Sequence, residues 1–196
     1  MAEISIGIVI NQIEGPYFSS HWKALRAWAK DTQVKLTFFT GKSLQSPIER
    51  EAVHNFTYKL IDSRLFDGLI LFSGSLGNYI GTPKMYSFIR SLDTVPIVTV
   101  NNPITEYPGV YAESNKAIDE LAYHIADTHS YKHIGLVTGS PQNYDSNIRR
   151  KLYLSALEKY DVSVAEKDIF EGDFTPEAGR DAARYFLSKG LPEAVL

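Results

Sequence analysis

Short apolar runs that alternate with segments of helical period leave this chain few folds to adopt. Ile4 to Ile10 is an almost continuous apolar run without the every-second-residue polarity of a half-exposed strand, so it reads as a central parallel strand buried on both faces. Val34 to Phe39, Asp67 to Phe72 and Pro96 to Val100 follow at intervals that each leave room for a helix. Parallel neighbours need such crossovers, because a tight turn cannot return the chain to the same end of a sheet.

The connecting segments supply the helices. Asn11 to Tyr17 breaks the first strand with Gly15 and Pro16, after which Phe18, Trp22, Leu25 and Ala29 recur at helical spacing. Ser46-Pro47-Ile48-Glu49 reads as a capping box with proline at the first helical position, opening a helix buried along Val53, Phe56, Leu60 and Ile61. Ser73 to Gly81, SGSLGNYIG, reads as a glycine-rich loop, and Thr82-Pro83 opens a helix with Met85, Phe88, Ile89 and Leu92 toward the sheet.

The stretch Pro96 to Asn115 reads as a hinge, since the same alternation restarts beyond it. Gly109 to Ala112 is a short strand, and Ser114 caps a helix with Ala117, Leu121, Ile125 and Thr128 on one side. His133 to Thr138 is a strand, and Ile148, Leu152, Ala156 and Tyr160 mark the next helix. A brief strand spans Asp168 to Glu171, and Thr175-Pro176 opens the last helix, with Ala178, Ala182 and Phe186 inward. Glu193 to Leu196 begins a strand whose polar exit loop does not follow, so a truncated second lobe is expected. The fold class is α/β: two lobes of doubly wound parallel sheet, residues 1–108 and 109–196, with a ligand cleft between them. Such sheets take ligands outside the carboxyl ends of their strands, where Asn101 and Asn102 fall.

Charge and residue usage remove several function classes. A net charge of -3 with no basic arm gives no electrostatic footprint for nucleic acid or an anionic membrane. The absence of cysteine rules out disulfides and thiolate metal sites. The opening MAEISIGIVIN has no basic flank or cleavage site of a secretory signal, and no apolar run reaches the roughly 18 residues of a membrane span, so a cytoplasmic location is expected. No Gly-x-Ser-x-Gly elbow and no isolated carboxylate pair is present, and an enzyme is not expected. The glycine-rich loop lacks both the Gly-x-Gly-x-x-Gly spacing of a dinucleotide site and the lysine of a P-loop, so no cofactor is expected. His124, His129 and His133 run from a helix through its end into a strand and are not expected to share a face, which argues against a metal site. Asn55-Phe56-Thr57 matches a glycosylation acceptor but falls inside an expected helix.

Several motifs, in order, carry a resemblance over the whole chain. IGIVIN with EGPYF, DGLILFSGSLGNYIG, PIVTVNN, VYAESNKAIDELAYHI, KHIGLVTG, Arg149 with Tyr153 and Ala156-Leu157, and EGDFTPEAGRDAA resemble the ligand-sensing domain of the LacI/GalR repressors, which is built like type I periplasmic sugar-binding proteins. The DGLILFSGSLGNYIG run looks most like versions of this module at the front of bacterial signalling proteins such as histidine kinases and diguanylate cyclases. Two departures point the same way: no helix-turn-helix precedes Ile4, and the usual Arg-x-x-Gly-aromatic reads Arg149-Arg150-Lys151-Leu152-Tyr153.

The resemblance implies ligand contacts from Asn11, Tyr17 and Phe18, from Ser73, and from Asn101 in the place of a family aspartate. It also implies Arg149 from the second lobe, with Tyr111 and Glu113 at the crossing between lobes. Tyr144 could add a stacking face, since sugar-type pockets combine a few fixed polar groups with aromatic faces. Two plainer readings stay open: Tyr17 and Phe18 as a staple at a helix start, and Arg149 as a solvated helix residue beside Arg150 and Lys151. The implied function is a non-catalytic sensor of a sugar or related metabolite, controlling an output module in a signalling protein, with a homodimer common among such proteins. The effector-binding part of a transcription regulator is the alternative, and a nucleotide-dependent enzyme a weaker one.

Overall fold

A computed structural model describes residues 4–196; Met1, Ala2 and Glu3, read as the lead into the first strand, lie outside the described residues. The chain divides into two compact units, one ending at Tyr111 and one spanning Ala112–Leu196.

The first unit is a five-stranded parallel sheet in the order β2-β1-β3-β4-β5. Its strands are β1 (Ser5–Ile10), β2 (Lys35–Thr40), β3 (Gly68–Leu71), β4 (Ile97–Val100) and β5 (Gly109–Val110). Ile8, Val9, Leu69 and Leu71 are wholly or almost wholly buried, as a strand covered on both faces requires. Helix α1 (Pro16–Thr32) lies on the face where Ile8, Ile10 and Phe72 cluster with Phe18 and Leu25. The opposite face carries Val9, Leu69, Leu71, Met85, Ile89 and Ile97.

Two expectations about the segments between strands fail in this unit. The helix expected after Ser46 is only one α turn, α2 (Glu49–Ala52), which tightens into a 3-10 segment over Val53–Leu60. Ser46 makes no N-cap; its hydroxyl donates to Glu51 Oε2 instead. The tighter winding turns the face, so Val53, Phe56 and Leu60 are exposed and Tyr58 is the residue buried. Ring burial needs a polar partner for the phenol. Tyr58 finds it by accepting from the Gly41 N–H at 3.0 Å and reaching the Lys42 carbonyl at 2.6 Å, with the ring so close that Gly41 has no room for a β-carbon. The second failure is the glycine-rich stretch after β3, which is no open loop: it forms a short helix, α3 (Ser73–Leu76), and then α4 (Gly81–Arg90).

Gly109–Val110, read as the opening of the second lobe, instead pairs in parallel with β4, Thr99 opposite Gly109.

The second unit centres on β6 (Ile134–Thr138), flanked in parallel by β7 (Ile169–Glu171) and β8 (Ala194–Val195). Its helices are α5 (Asn115–Tyr123), α6 (Tyr144–Glu158) and α7 (Pro176–Lys189). Ile118, Ala122 and Ile125 are the buried stripe of α5 and its extension, rather than Ala117 and Leu121, and Ser114 makes no side-chain cap. They pack with Ile134, Ala156 and Leu157. Thr175 does cap α7, its hydroxyl oxygen accepting from the Ala178 N–H at 3.1 Å.

Candidate functional site

In a parallel sheet the crevice for a ligand opens where successive crossovers leave in opposite directions. In the first unit the chain passes from β1 to β2 on one side, and β3 and β4 lie on the other, so that point sits at the carboxyl ends of β1 and β3. The residues placed there are Asn11 after β1, Phe72 and Ser73 after β3, and Asn101 after β4.

Tyr17 and Asn101, 84 residues apart, are brought together: the Asn101 amide nitrogen donates to the Tyr17 hydroxyl at 2.9 Å. Asn101 adopts a left-handed backbone, φ 71°, while its N–H donates to the Val110 carbonyl at 2.8 Å, and this turns its amide off the end of the strand. Tyr17 is half exposed, and Phe18 meets its ring edge-on at 4.9 Å while packing on Ile8, Ile10 and Phe72. Asn11 is half-buried, its side-chain oxygen accepting from the Gln12 N–H. The result is an aromatic wall with amide and phenol groups on one rim.

One residue there, His21, was not singled out from the sequence, and Asn102, read only as a strand-end neighbour of Asn101, proves to be buried. His21 stands one helical turn after Tyr17, its ring 4.9 Å from that tyrosine and 5.6 Å from Phe72. The i, i+4 spacing on α1 was the available signal. Asn102 is 3% exposed, and its Oδ1 is buried without a hydrogen-bond partner among the described residues.

Ser73, expected to touch ligand, is fully buried, and its hydroxyl lies 3.0 Å from the Val100 carbonyl and 3.1 Å from that of Asn102. Its side chain serves the turn that carries Asn101. Tyr111 and Glu113 are exposed. A shallow cavity of about 480 Å³ lies at the other end of β4, lined by Arg90, Asp93, Tyr107 and neighbours, and contains none of the expected site residues.

In the second unit the corresponding point is the carboxyl end of β6, which has a strand on each side. The chain leaves it through Gly139, whose N–H donates to Ser146 Oγ at 2.8 Å, and enters α6 after Asn143, whose Oδ1 accepts from the Ser146 N–H at 2.9 Å. This locks the first turn of α6, where Tyr144 is half-buried, and Arg149 lies exposed one turn beyond Asp145. Burial raises the Asp145 carboxyl above its ordinary range, and the Arg149 guanidinium pulls it partly back. Arg150, by contrast, is occupied by ion pairs to Glu166 and Glu171. Arg149 is thus the more exposed arginine of the pair and interacts with Asp145 near the helix start.

The three histidines do not gather on one face, but two of them come closer than expected. His124 and His129 do meet, Nε2 to Nε2 at 3.0 Å, because the last turn of α5 widens into a π turn over His124–Thr128. His133 stands apart with Asp168. Among the described residues no three side chains of His, Cys, Asp or Glu gather as a metal cage, and no helix is long and apolar enough to cross a membrane.

Comparison with known proteins points in one direction. No family model matches the chain. The HTH-type transcriptional repressor PurR of Pectobacterium carotovorum is 21% identical over 201 residues, which cover 97% of this chain and 54% of the repressor. The chain thus spans about half the length of that curated relative. Among solved structures, a putative transcriptional regulator LacI from Bacillus cereus subsp. cytotoxis aligns with a TM-score of 0.77 at 19% identity, covering 99% of this chain and 67% of that one. The transcription regulator CcpA of Lactococcus lactis gives 0.75 at 18%, covering 99% and 67%. The Cra regulator of Pseudomonas putida, solved in complex with fructose 1-phosphate, gives 0.72 at 17%, covering 97% and 67%. The two parallel α/β units described above are thus the fold of LacI-type effector-binding domains, the two-lobed architecture of type I periplasmic binding proteins.

Proposed function

We propose that this chain is the effector-binding part of a LacI-type transcription regulator and that it binds a sugar or related small metabolite without catalysing a reaction. The observation that carries the reading is the Asn101–Tyr17 pair at the switch point of the first sheet, where fixed amide and phenol groups edge an aromatic wall. Asn11, Tyr17, Phe18 and Asn101 supply the contacts from the first unit, and Tyr144 and Arg149 those from the second. Tyr111 and Glu113, next to the junction of the units, complete the set. Ser73 acts behind them by holding the Asn101 turn.

A ligand that engages both units favours whichever relative arrangement lets it do so, and this is how binding is relayed to an output module. Of the two outputs considered, transcription control is favoured over a kinase or cyclase, because the relatives named above are transcription regulators. Fusion to a signalling enzyme is the second reading, supported by the resemblance of the DGLILFSGSLGNYIG run and by Leu152 in the place of the usual glycine.

The test begins with thermal-shift screening of sugars, sugar phosphates and purines against the protein. For a stabilising compound, Arg149→Ala should lower affinity by at least tenfold while the circular dichroism spectrum stays unchanged, since Arg149 is exposed. Undiminished affinity in that variant removes Arg149 from the site. Stabilisation by a dinucleotide alone overturns the sensor reading.

A further inference from the structure

An α-helix places residues five apart about 140° from each other around its axis. His124 and His129 escape that separation because the His129 N–H bonds to the His124 carbonyl at 3.2 Å, an i to i+5 bond that closes a π turn and sets one ring over the other. Such turns recur at functional sites, since each leaves the helix locally over-wide. The two rings meet at a centroid distance of 4.5 Å and an angle of 87°, with their Nε2 atoms 3.0 Å apart. His129 is held from its other side by Tyr131, stacked at 5.1 Å and 15°, and Tyr131 is itself tied back by its N–H to the Ile125 carbonyl. Both histidines are open to solvent.

We infer that His124 and His129 form a two-imidazole chelate for a divalent transition metal of tetragonal preference, of the Cu²⁺ or Ni²⁺ kind. At the usual metal–nitrogen distance of about 2.0–2.1 Å, two nitrogens 3.0 Å apart subtend about 91–97° at the metal. That is the cis angle of a square-planar or octahedral ion and falls short of the tetrahedral angle of zinc. No third His, Cys, Asp or Glu completes a cage among the described residues, so water fills the remaining positions. The hydrogen bond between the rings requires one Nε2 to carry a proton; for metal to enter, that ring shifts its proton to Nδ1 and the two solvent-exposed rings turn so that their Nε2 lone pairs converge on the ion. No net proton is released by a neutral pair. Binding weakens as pH falls, because a protonated imidazole cannot ligate.

The experiment titrates the 196-residue chain with CuCl₂, NiCl₂ and ZnCl₂ by calorimetry at neutral pH in a non-coordinating buffer, with electron paramagnetic resonance of the copper form. One site per chain is expected, with two-nitrogen coupling in the copper spectrum and affinity at least tenfold weaker in His124→Ala and in His129→Ala. His129→Asn guards against an effect of side-chain loss on the turn and should behave as His129→Ala does. His133→Ala, whose ring pairs with Asp168, should leave the site unchanged. Wild-type affinity in the His124 and His129 variants overturns the assignment, as does Zn²⁺ binding tighter than Ni²⁺.

Discussion

At the scale of single residues, the fold turns on a few polar groups placed where only one conformation serves them. Tyr58 is buried beneath a short 3-10 segment, with its hydroxyl shared between the Gly41 N–H and the carbonyls of Lys42 and Ile10. Tyr58→Phe strands those groups and should destabilise the protein by about 1–3 kcal/mol in urea unfolding. The same burial holds the Tyr58 phenol protonated well above the ordinary tyrosine range, and burial with the Asp93 carboxylate pushes Tyr107 up to about 12. An unfolded tyrosine ionises near pH 10. Stability from these groups is therefore complete below about pH 10 and is lost as pH climbs toward 12, because the unfolded chain sheds its protons first. Denaturation from pH 8 to 12 should show that fall, and Tyr58→Phe should flatten it; an unaltered slope would refute the attribution.

Asn101 poses a second residue-scale question, since its left-handed backbone and its amide can be separated by substitution. Asn101→Ala puts a side chain without a polar group in that conformation and should cost ~1 kcal/mol. Asn101→Gly relieves the backbone while removing the amide. The glycine variant should keep stability close to wild type yet lose ligand affinity as the alanine variant does, a contrast that thermal melts and ligand titration read directly.

At the scale of elements, helix ends decide more than helix propensity. Thr175 caps α7 through the Ala178 N–H, and Thr175→Ala should cost about 1 kcal/mol, seen as a lower urea midpoint with an unchanged slope. That cap was readable because Thr-Pro is a local signal. The strands were readable for a similar reason, since Ile8, Leu69 and Ile134 sit in apolar runs that only a doubly covered sheet accommodates. The segment after Ser46 was not readable. Its apolar residues fit an α period, but Tyr58 needed both the core and the Gly41 backbone, and winding the chain at three residues per turn satisfies that at the expense of exposing Phe56. The π turn after α5 was equally hidden, because nothing local distinguishes His124–Thr128 from an ordinary helix end. Of the proposed site, the placement of Tyr17, Phe18 and Asn101 at a helix start and a strand end was legible. His21 was not, nor was the burial of Asn102, because these depend on Phe72 and on the turn held by Ser73, which come from distant strands.

At the scale of the whole molecule, two parallel sheets each present polar and aromatic groups beyond the carboxyl end of a central strand, β1 in one unit and β6 in the other. The proposal gains its force from pairing those two sets on one small molecule, since a ligand held by a single unit could not bias their relative arrangement. The decisive measurement is a calorimetric titration of the first stabilising sugar or metabolite into wild type, Asn101→Gly, Arg149→Ala and the double variant. The account predicts that each single change weakens binding at least tenfold, the two residues lying in separate units. Full affinity in either single variant, with its fold intact, would mean that only one unit holds the ligand and would contradict it.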